Sequence, residues 1–105
     1  MLNIFEFGAD WCSGCRILKP IVEEAIKDYD DIYLKQINVD EDDDDLCGKY
    51  KVMSLPTIVF EDISIGFIRK IVGTVPKETI KDVINTYKEL KHGELPRSVE
   101  ESISL

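Results

Sequence analysis

The sequence has few cysteines, few basic residues relative to acidic ones, and no long apolar run. Its 105 residues include three Cys, one His, and 13 Lys and Arg against 21 Asp and Glu, for a formal net charge of −8. This shortage of positive charge disfavours nucleic acid and anionic lipid as partners, because both are bound through clusters of Lys and Arg. No stretch approaches the roughly 20 apolar residues that span a bilayer. We therefore expect neither nucleic acid nor a membrane among the partners.

Cysteine usage and the first residues predict a reducing compartment. A close pair and a distant single cysteine are too few and too uneven for the disulfide framework of a small secreted protein. The first residues lack the basic region and small-residue cleavage site of a signal peptide, and Glu6 interrupts their apolar pattern. We expect a cytoplasmic protein, a monomer, with one domain large enough to form its own core.

Hydrophobic periodicity predicts alternating strands and helices. The predicted elements are, in chain order, a strand at 2–8, an amphipathic helix kinked at Pro20, a strand at 32–39, a short helix at 42–50, a strand after Pro56, a hairpin turn near 62–66, a return strand at 67–72 and a helix opened by Pro76. The class is therefore α/β. We assign residues 1–90 to the folded domain and residues 91–105 to a mobile C-terminal tail, because the periodic pattern stops there.

Cys12 and Cys15 stand where the first strand gives way to the first helix. Ser13 and Gly14 between them place the two thiols one helical turn apart, close enough to form a disulfide and to reopen it. The start of a helix presents free N–H groups and a positive dipole end, which favour the reactive thiolate. The spacing predicts a redox dithiol in which Cys12 attacks and Cys15 resolves. The alternative is an unused surface pair.

The motif around this dithiol resembles the thioredoxin family. The residues that carry the resemblance are Phe5-Glu6-Phe7-Gly8-Ala9-Asp10-Trp11-Cys12-Ser13-Gly14-Cys15-Arg16, Pro20, Asn38-Val39-Asp40, Leu55-Pro56-Thr57 and Val72-Gly73. The resemblance covers about residues 2–90 and implies a thioredoxin fold, with a central mixed four-stranded sheet in βαβ-αββα order flanked by helices. It implies the minimal form of that fold, because the extra strand and helix that thioredoxins carry before the active-site strand are not in this sequence. The dipeptide Ser13-Gly14 departs from the Gly-Pro that is usual in thioredoxins.

Glu6 occupies the position where the family has a buried Asp. The resemblance implies that Glu6 is a general base for Cys15. From the residues alone two interpretations stay open. In the first, Glu6 is buried with a pKa raised by desolvation; in the second, its head reaches solvent at a sheet edge.

Four residues are candidates for the substrate groove. The resemblance implies a cis peptide bond between Leu55 and Pro56, which would turn the backbone of Leu55 toward the dithiol to pair with an extended substrate chain. A trans proline that opens the strand is the alternative. Trp11 offers a flat contact surface and Gly73 permits close backbone approach, so both are candidate walls of the groove, against ordinary loop packing and a turn.

The resemblance implies a protein-disulfide reductase that takes part in electron transport and cell redox homeostasis. Its redox centre would be the Cys12–Cys15 disulfide, with no other cofactor. The implied partners are a flavoprotein thioredoxin reductase upstream and disulfide-containing proteins downstream. The alternatives are a glutaredoxin-like oxidoreductase coupled to glutathione and a binding module that uses the fold without turnover.

Two further features invite a metal-site interpretation. The acidic run Asp40–Asp45 lacks the glycine and the closing glutamate of an EF-hand loop, and acids at a helix start are favoured by the helix dipole, so we interpret it as a solvated cap. Cys47, with the dithiol and His92, matches no common zinc spacing. We therefore expect no metal and interpret Cys47 as a small, partly buried apolar residue.

Overall fold

The computed structural model describes residues 1–92 and has the predicted order of elements. These are β1 (Leu2–Gly8), α1 (Ser13–Ile26), β2 (Ile32–Asn38), α2 (Leu46–Lys49), β3 (Thr57–Asp62), β4 (Phe67–Val72) and α3 (Lys77–Lys91), with single 3-10 turns at Val39–Glu41 and Ile63–Ile65. The sheet has the order β2-β1-β3-β4. β1 is parallel to β2 and antiparallel to β3, and β3 is antiparallel to β4. This mixed four-stranded sheet confirms the predicted thioredoxin fold.

Two element boundaries differ from those predicted. The short helix expected at 42–50 is confined to Leu46–Lys49. The residues before it are drawn into capping, since the Asp42 carboxylate accepts the N–H groups of Leu46 and Cys47. At the other end of the chain, α3 extends to Lys91 and is capped by His92. Residues 93–105, the rest of the predicted tail, lie outside the described residues, so their mobility stays a prediction.

Strand alternation divides the apolar residues between two faces of the sheet. On β1, Leu2 and Ile4 point to the face covered by α1 and α3, while Phe5 and Phe7 point to the face that packs against α2 and Tyr50. Because successive side chains alternate, Glu6 falls on the α1 face. The α1 face holds the larger core, which includes Leu18, Val22, Ala25, Ile58, Phe60, Ile80, Ile84 and Tyr87. Within residues 1–92, no helix is long and apolar enough to cross a membrane.

Candidate active site

The two cysteines of the motif lie at the N-terminus of α1 and are paired as a disulfide, with Cα atoms 5.3 Å apart. Cys12 is the N-cap residue, and the backbone N–H of Cys15 donates to its Sγ at 3.2 Å. Cys12 is half-buried, whereas Cys15 is only 8% exposed. The sulfur that receives the helix donor is thus also the one that a large substrate reaches more easily. This asymmetry suits an attacking Cys12 and a shielded Cys15.

Two glycines let the backbone approach the dithiol. A Cβ on Gly8, at the end of β1, would lie 3.2 Å from the Cβ and 3.3 Å from the Sγ of Cys15. A Cβ on Gly14 would lie 3.1 Å from Thr74 Oγ1 and 3.4 Å from Pro56 Cδ. The packing role of these glycines was not predictable from the sequence, because close approach is set by tertiary contacts and leaves no local pattern.

Glu6 is buried at the centre of the sheet. Glu6 is 6% exposed, and its strand, β1, lies between β2 and β3 rather than at an edge of the sheet. The arrangement rules out the interpretation in which the carboxyl reaches solvent at a sheet edge. Burial raises the pKa of Glu6 to about 7; a hydrogen bond from Gln36 and the charge of Lys19 oppose the rise, and the charge of Glu23 adds to it. Glu6 can therefore both accept and release a proton near neutral pH.

Glu6 and Cys15 line one cavity of about 390 Å³. Its wall also includes Lys19 and Gln36, and it reaches the loop before the dithiol at Asp10. The cavity gives the buried carboxyl and the shielded thiol a common space large enough for water, through which a proton can pass between them. Gln36 did not figure among the sequence candidates, because a glutamine on an edge strand carries no local signal of function.

The loops before β3 and after β4 form the other side of the site. The Leu55–Pro56 peptide bond is cis. The carbonyl of Pro56 accepts the N–H of Gly73 at 2.8 Å, and Gly73 has a φ of 99°, a conformation that favours glycine. The Thr74 hydroxyl donates to the carbonyl of Gly14 at 3.2 Å. These contacts bring Pro56 and Gly73, two of the predicted groove residues, to the loop that carries the dithiol.

Trp11 and Leu55 line a second cavity, of about 290 Å³, together with Cys12. Trp11 is 68% exposed, and its Nε1 donates to Asp40 Oδ2 at 2.9 Å, which orients the ring. Met53 lies in the same wall and is 91% exposed. The result is an apolar surface next to the exposed thiol. Met53 was not among the predicted groove residues, because it belongs to no periodic element.

Cys47 lines the same cavity as Trp11 and Cys12, but its thiol is not activated. It is half-buried, and burial together with Asp42 and Asp45 raises the pKa of its thiol to about 11. A thiol that stays protonated at neutral pH is a poor nucleophile. Among residues 1–92, no three or more His, Cys, Asp or Glu side chains converge as metal ligands would. The acidic run caps a helix as expected, through Asp42 and through Asp45, whose carboxylate accepts the N–H of Gly48.

Comparison with known proteins identifies the family. The family model described as Thioredoxin matches residues 2–86. The thioredoxins of Staphylococcus saprophyticus and Staphylococcus epidermidis are 38% and 36% identical over 88 residues, and each alignment covers 82% of this chain and 82% of the relative. Among solved structures, chloroplastic thioredoxin z has a TM-score of 0.73 at 26% identity, covering 85% of this chain and 80% of that one. A thioredoxin variant from Halobacterium salinarum has a TM-score of 0.70 at 31% identity, covering 82% and 74%. With its close cysteine pair at the start of α1, the chain belongs to the thioredoxin family of thiol–disulfide oxidoreductases.

Proposed function

We propose that this protein reduces protein disulfides by two successive thiol–disulfide exchanges. In the first, the Cys12 thiolate attacks one sulfur of a substrate disulfide, which forms a mixed disulfide and releases the second substrate sulfur as a thiolate. The observation that carries this order is the asymmetry of the pair. Cys12 Sγ accepts the helix N–H at 3.2 Å and is the more exposed sulfur.

In the second exchange, the Cys15 thiolate attacks Cys12 Sγ. The Cys12–Cys15 disulfide forms, the remaining substrate sulfur leaves as a thiolate, and two electrons have passed from the dithiol to the substrate. Cys15 must first lose its proton. The support for Glu6 as the acceptor is its burial in the cavity that Cys15 also lines and its pKa of about 7. The protonated Glu6 then returns the proton to the departing substrate thiolate.

The groove residues would hold the substrate as an extended chain. The exposed ring of Trp11 and the side chain of Leu55 give apolar contact area beside Cys12. Next to the cis Pro56, backbone groups can pair with a substrate strand, and Gly73 leaves room for it. Binding of this kind tolerates many sequences, as a reductase of several proteins requires.

The reduced dithiol has to be regenerated by an external two-electron donor. By family resemblance the donor is a flavoprotein thioredoxin reductase, and the protein works as a cytoplasmic monomer with no cofactor besides its own disulfide. The glutaredoxin-like alternative would replace the flavoprotein by glutathione.

The order of attack is tested by trapping. A Cys15→Ser variant, mixed with a disulfide-containing protein such as insulin, should accumulate a covalent adduct through Cys12 that dithiothreitol releases. A Cys12→Ser variant should form none. Cys47→Ser is the matched control and should turn over like the unmodified protein, because the Cys47 thiol stays protonated. An adduct in Cys12→Ser would contradict the assignment.

The direction of electron flow is tested by equilibrating the protein in glutathione redox buffers. A reductase of cytoplasmic proteins should have a reduction potential at or below that of the glutathione pool, roughly −220 mV or lower. A potential well above this value would instead support an oxidant or a glutathione-coupled enzyme, and a pair that never forms a disulfide would support a binding module.

A further inference from the structure

Gln36 connects the buried Glu6 to the protein surface. Glu6 and Gln36 are partners in the parallel register of β1 and β2, so their side chains lie next to each other on the α1 face. Gln36 Nε2 donates to Glu6 Oε1 at 3.2 Å and to Glu23 Oε2 at 3.2 Å. Glu6 is buried, whereas Gln36 and Glu23 are exposed. One amide nitrogen therefore lies between a buried carboxyl and a surface carboxylate.

The helix above this bridge is the one that carries the resolving thiol. Cys15, Lys19 and Glu23 are spaced by four residues along α1, so they share the helix face that covers Glu6. Cys15 and Gln36 line the same cavity as Glu6. The bridge thus fixes Glu6 in the space where the proposed proton transfer takes place.

When Glu6 is ionised, its hydrogen bond with Gln36 requires one orientation of the amide. An amide has two N–H donors on nitrogen and an acceptor oxygen. Both groups that face Gln36 Nε2 are carboxyls, so the opposite orientation would then set the amide oxygen against two acceptors. With each N–H engaged, Gln36 cannot rotate without breaking a bond to a carboxyl. Within residues 1–92, it is the one side chain that hydrogen-bonds to Glu6.

We propose that Gln36 is a positioning residue for proton transfer at this dithiol, holding Glu6 toward Cys15 with an uncharged donor that Glu23 keeps in place. The inference rests on the proposed role of Glu6 as proton acceptor. An uncharged donor matters because a cation at the same place would pair with Glu6 and keep it ionised. A purely apolar side chain would leave the buried carboxyl without this donor.

The charged groups around Glu6 are consistent with this assignment. From α1, Lys19 favours the ionised carboxylate and Glu23 disfavours it, so their effects oppose each other. Arg16 and Asp10 line the same cavity with opposite charges. From β3, the register partner of Glu6 is the uncharged, fully buried Ile58. The neighbour on β2 is Gln36 itself, so its replacement changes the nearest polar contact of the carboxyl.

The test measures how fast Cys15 resolves a preformed mixed disulfide on Cys12, in the full chain, between pH 5.5 and 9. We expect an inflection near pH 7 in the unmodified protein. Gln36→Leu should lower the rate at pH 7 about tenfold and move the inflection up by about one pH unit. Gln36→Lys keeps a donor but adds a charge, so it should move the inflection down by at least one pH unit. Glu23→Gln removes a charge that disfavours the ionised Glu6 and keeps an oxygen that can accept from the Gln36 amide, so it should move the inflection down.

A matched control and a second readout separate positioning from folding. Glu24→Gln removes an exposed carboxylate beside Glu23 that makes no contact with Gln36, and should leave the profile unchanged. The titration of the Glu6 carboxyl, followed by carbon NMR in the oxidised protein, should move in the same direction as the inflection in each Gln36 variant. A merely structural role for Gln36 would change stability but not this titration.

Two results would overturn the proposal, and they differ in what else they overturn. If Glu6→Gln removes the inflection while the Gln36 variants leave both it and the Glu6 titration in place, Gln36 is not a positioning residue and the role of Glu6 stands. If Glu6→Gln leaves the profile unchanged, the role of Glu6 as proton acceptor fails and the proposal for Gln36 fails with it.

Discussion

At the scale of single residues, burial of the Glu6 carboxyl opposes its ionisation. Glu6 is 6% exposed, so its carboxyl loses the hydration of its charged form. The group that donates a hydrogen bond to it, the Gln36 amide, carries no charge. The pKa of Glu6 accordingly rises from 4.5 to about 7. A carboxyl that titrates near neutral pH can serve as both base and acid, as the proposed role of Glu6 requires.

The raised pKa of Glu6 predicts that the free energy of unfolding depends on pH. Since the folded protein holds this proton more tightly than the unfolded chain, protonation of Glu6 stabilises the folded state. This stabilisation is fully present below about pH 4.5 and is lost as the pH rises through 7. The loss amounts to about 3 kcal/mol by pH 8. Glu6→Gln should therefore raise the free energy of unfolding at pH 8 by about that amount and change it little at pH 4.5.

Urea unfolding of the oxidised protein at the two pH values measures this effect without interference from thiol titration. Glu41→Gln, at an exposed position after β2, is the control and should change the free energy of unfolding by less than about 0.5 kcal/mol. A Glu6→Gln variant that is destabilised equally at both pH values would show that Glu6 is held as a structural carboxylate and not as a titrating group.

Residue patterns predicted some of these positions and left others open. Cys12 and Cys15 could be identified because their spacing alone brings two thiols together. The burial of Glu6 could not be decided, because it depends on whether β1 lies inside the sheet. Gln36 was not identified, because its role comes from β2 lying beside β1 in a register that pairs it with Glu6.

At the scale of elements, a buried hydrogen bond joins β3 to α3. Tyr87 Oη donates to Asp62 Oδ2 at 2.6 Å, and both residues are almost fully buried. The hydrogen bond from the Ser64 side chain is the largest cause, and that from Tyr87 the second, of a pKa of Asp62 far below its usual range. The other oxygen of the carboxylate accepts from the backbone N–H and hydroxyl of Ser64. Asp62 thus fastens the end of β3 to the last helix.

Tyr87→Phe removes this donor and leaves the ring contact with Phe67 in place. We expect a loss of about 1.5–3 kcal/mol in the free energy of unfolding at pH 7, because a buried carboxylate loses one of its partners. The loss should shrink at acid pH, as the pH falls toward the lowered pKa of Asp62 in the folded protein and the carboxylate that Tyr87 stabilises becomes protonated.

Chemical denaturation at pH 7 and pH 3 measures both parts of this expectation. Tyr29→Phe is the matched control, since the Tyr29 hydroxyl donates to Asn85 at an exposed site, and the change should stay within about 0.5 kcal/mol. Equal losses in the two variants would mean that burial of the Asp62 carboxylate adds nothing to the bond.

The elements were largely predictable because each has a clear hydrophobic period. α1 and α3 show apolar residues at helical spacing, and the buried strands show apolar runs between turn residues. The extent of α2 was not predictable in this way, because the carboxylates of Asp42 and Asp45 cap its N-terminus and the helix begins only at Leu46. The cis bond at Pro56 was implied by the family resemblance only, since periodicity does not report on a peptide bond.

At the scale of the whole molecule, topology brings negative charge to the dithiol. β1 and β2 are parallel, so the loops that follow them emerge at the same edge of the sheet. One loop carries Cys12 and the other begins the acidic run Asp40–Asp45, whose first member accepts a hydrogen bond from Trp11. Part of the formal net charge of −8 therefore lies in a loop that contacts Trp11, the neighbour of Cys12.

This charge should select among disulfides before any contact is made. A positively charged substrate is attracted to an acidic site and a negatively charged one is repelled, and the effect weakens as salt shortens the Debye length to about 10 Å at 0.1 M.

We expect the reduced protein to react with cystamine, a dication, about tenfold faster than with 3,3′-dithiodipropionate, a dianion, at roughly 10 mM ionic strength. Each rate is divided by that for the uncharged reductant dithiothreitol under the same conditions, which removes differences in intrinsic reactivity. The ratio should fall toward one near 0.5 M salt. A ratio below one at low salt would mean that Arg16 and Lys19, and not the carboxylates, govern the field at Cys12.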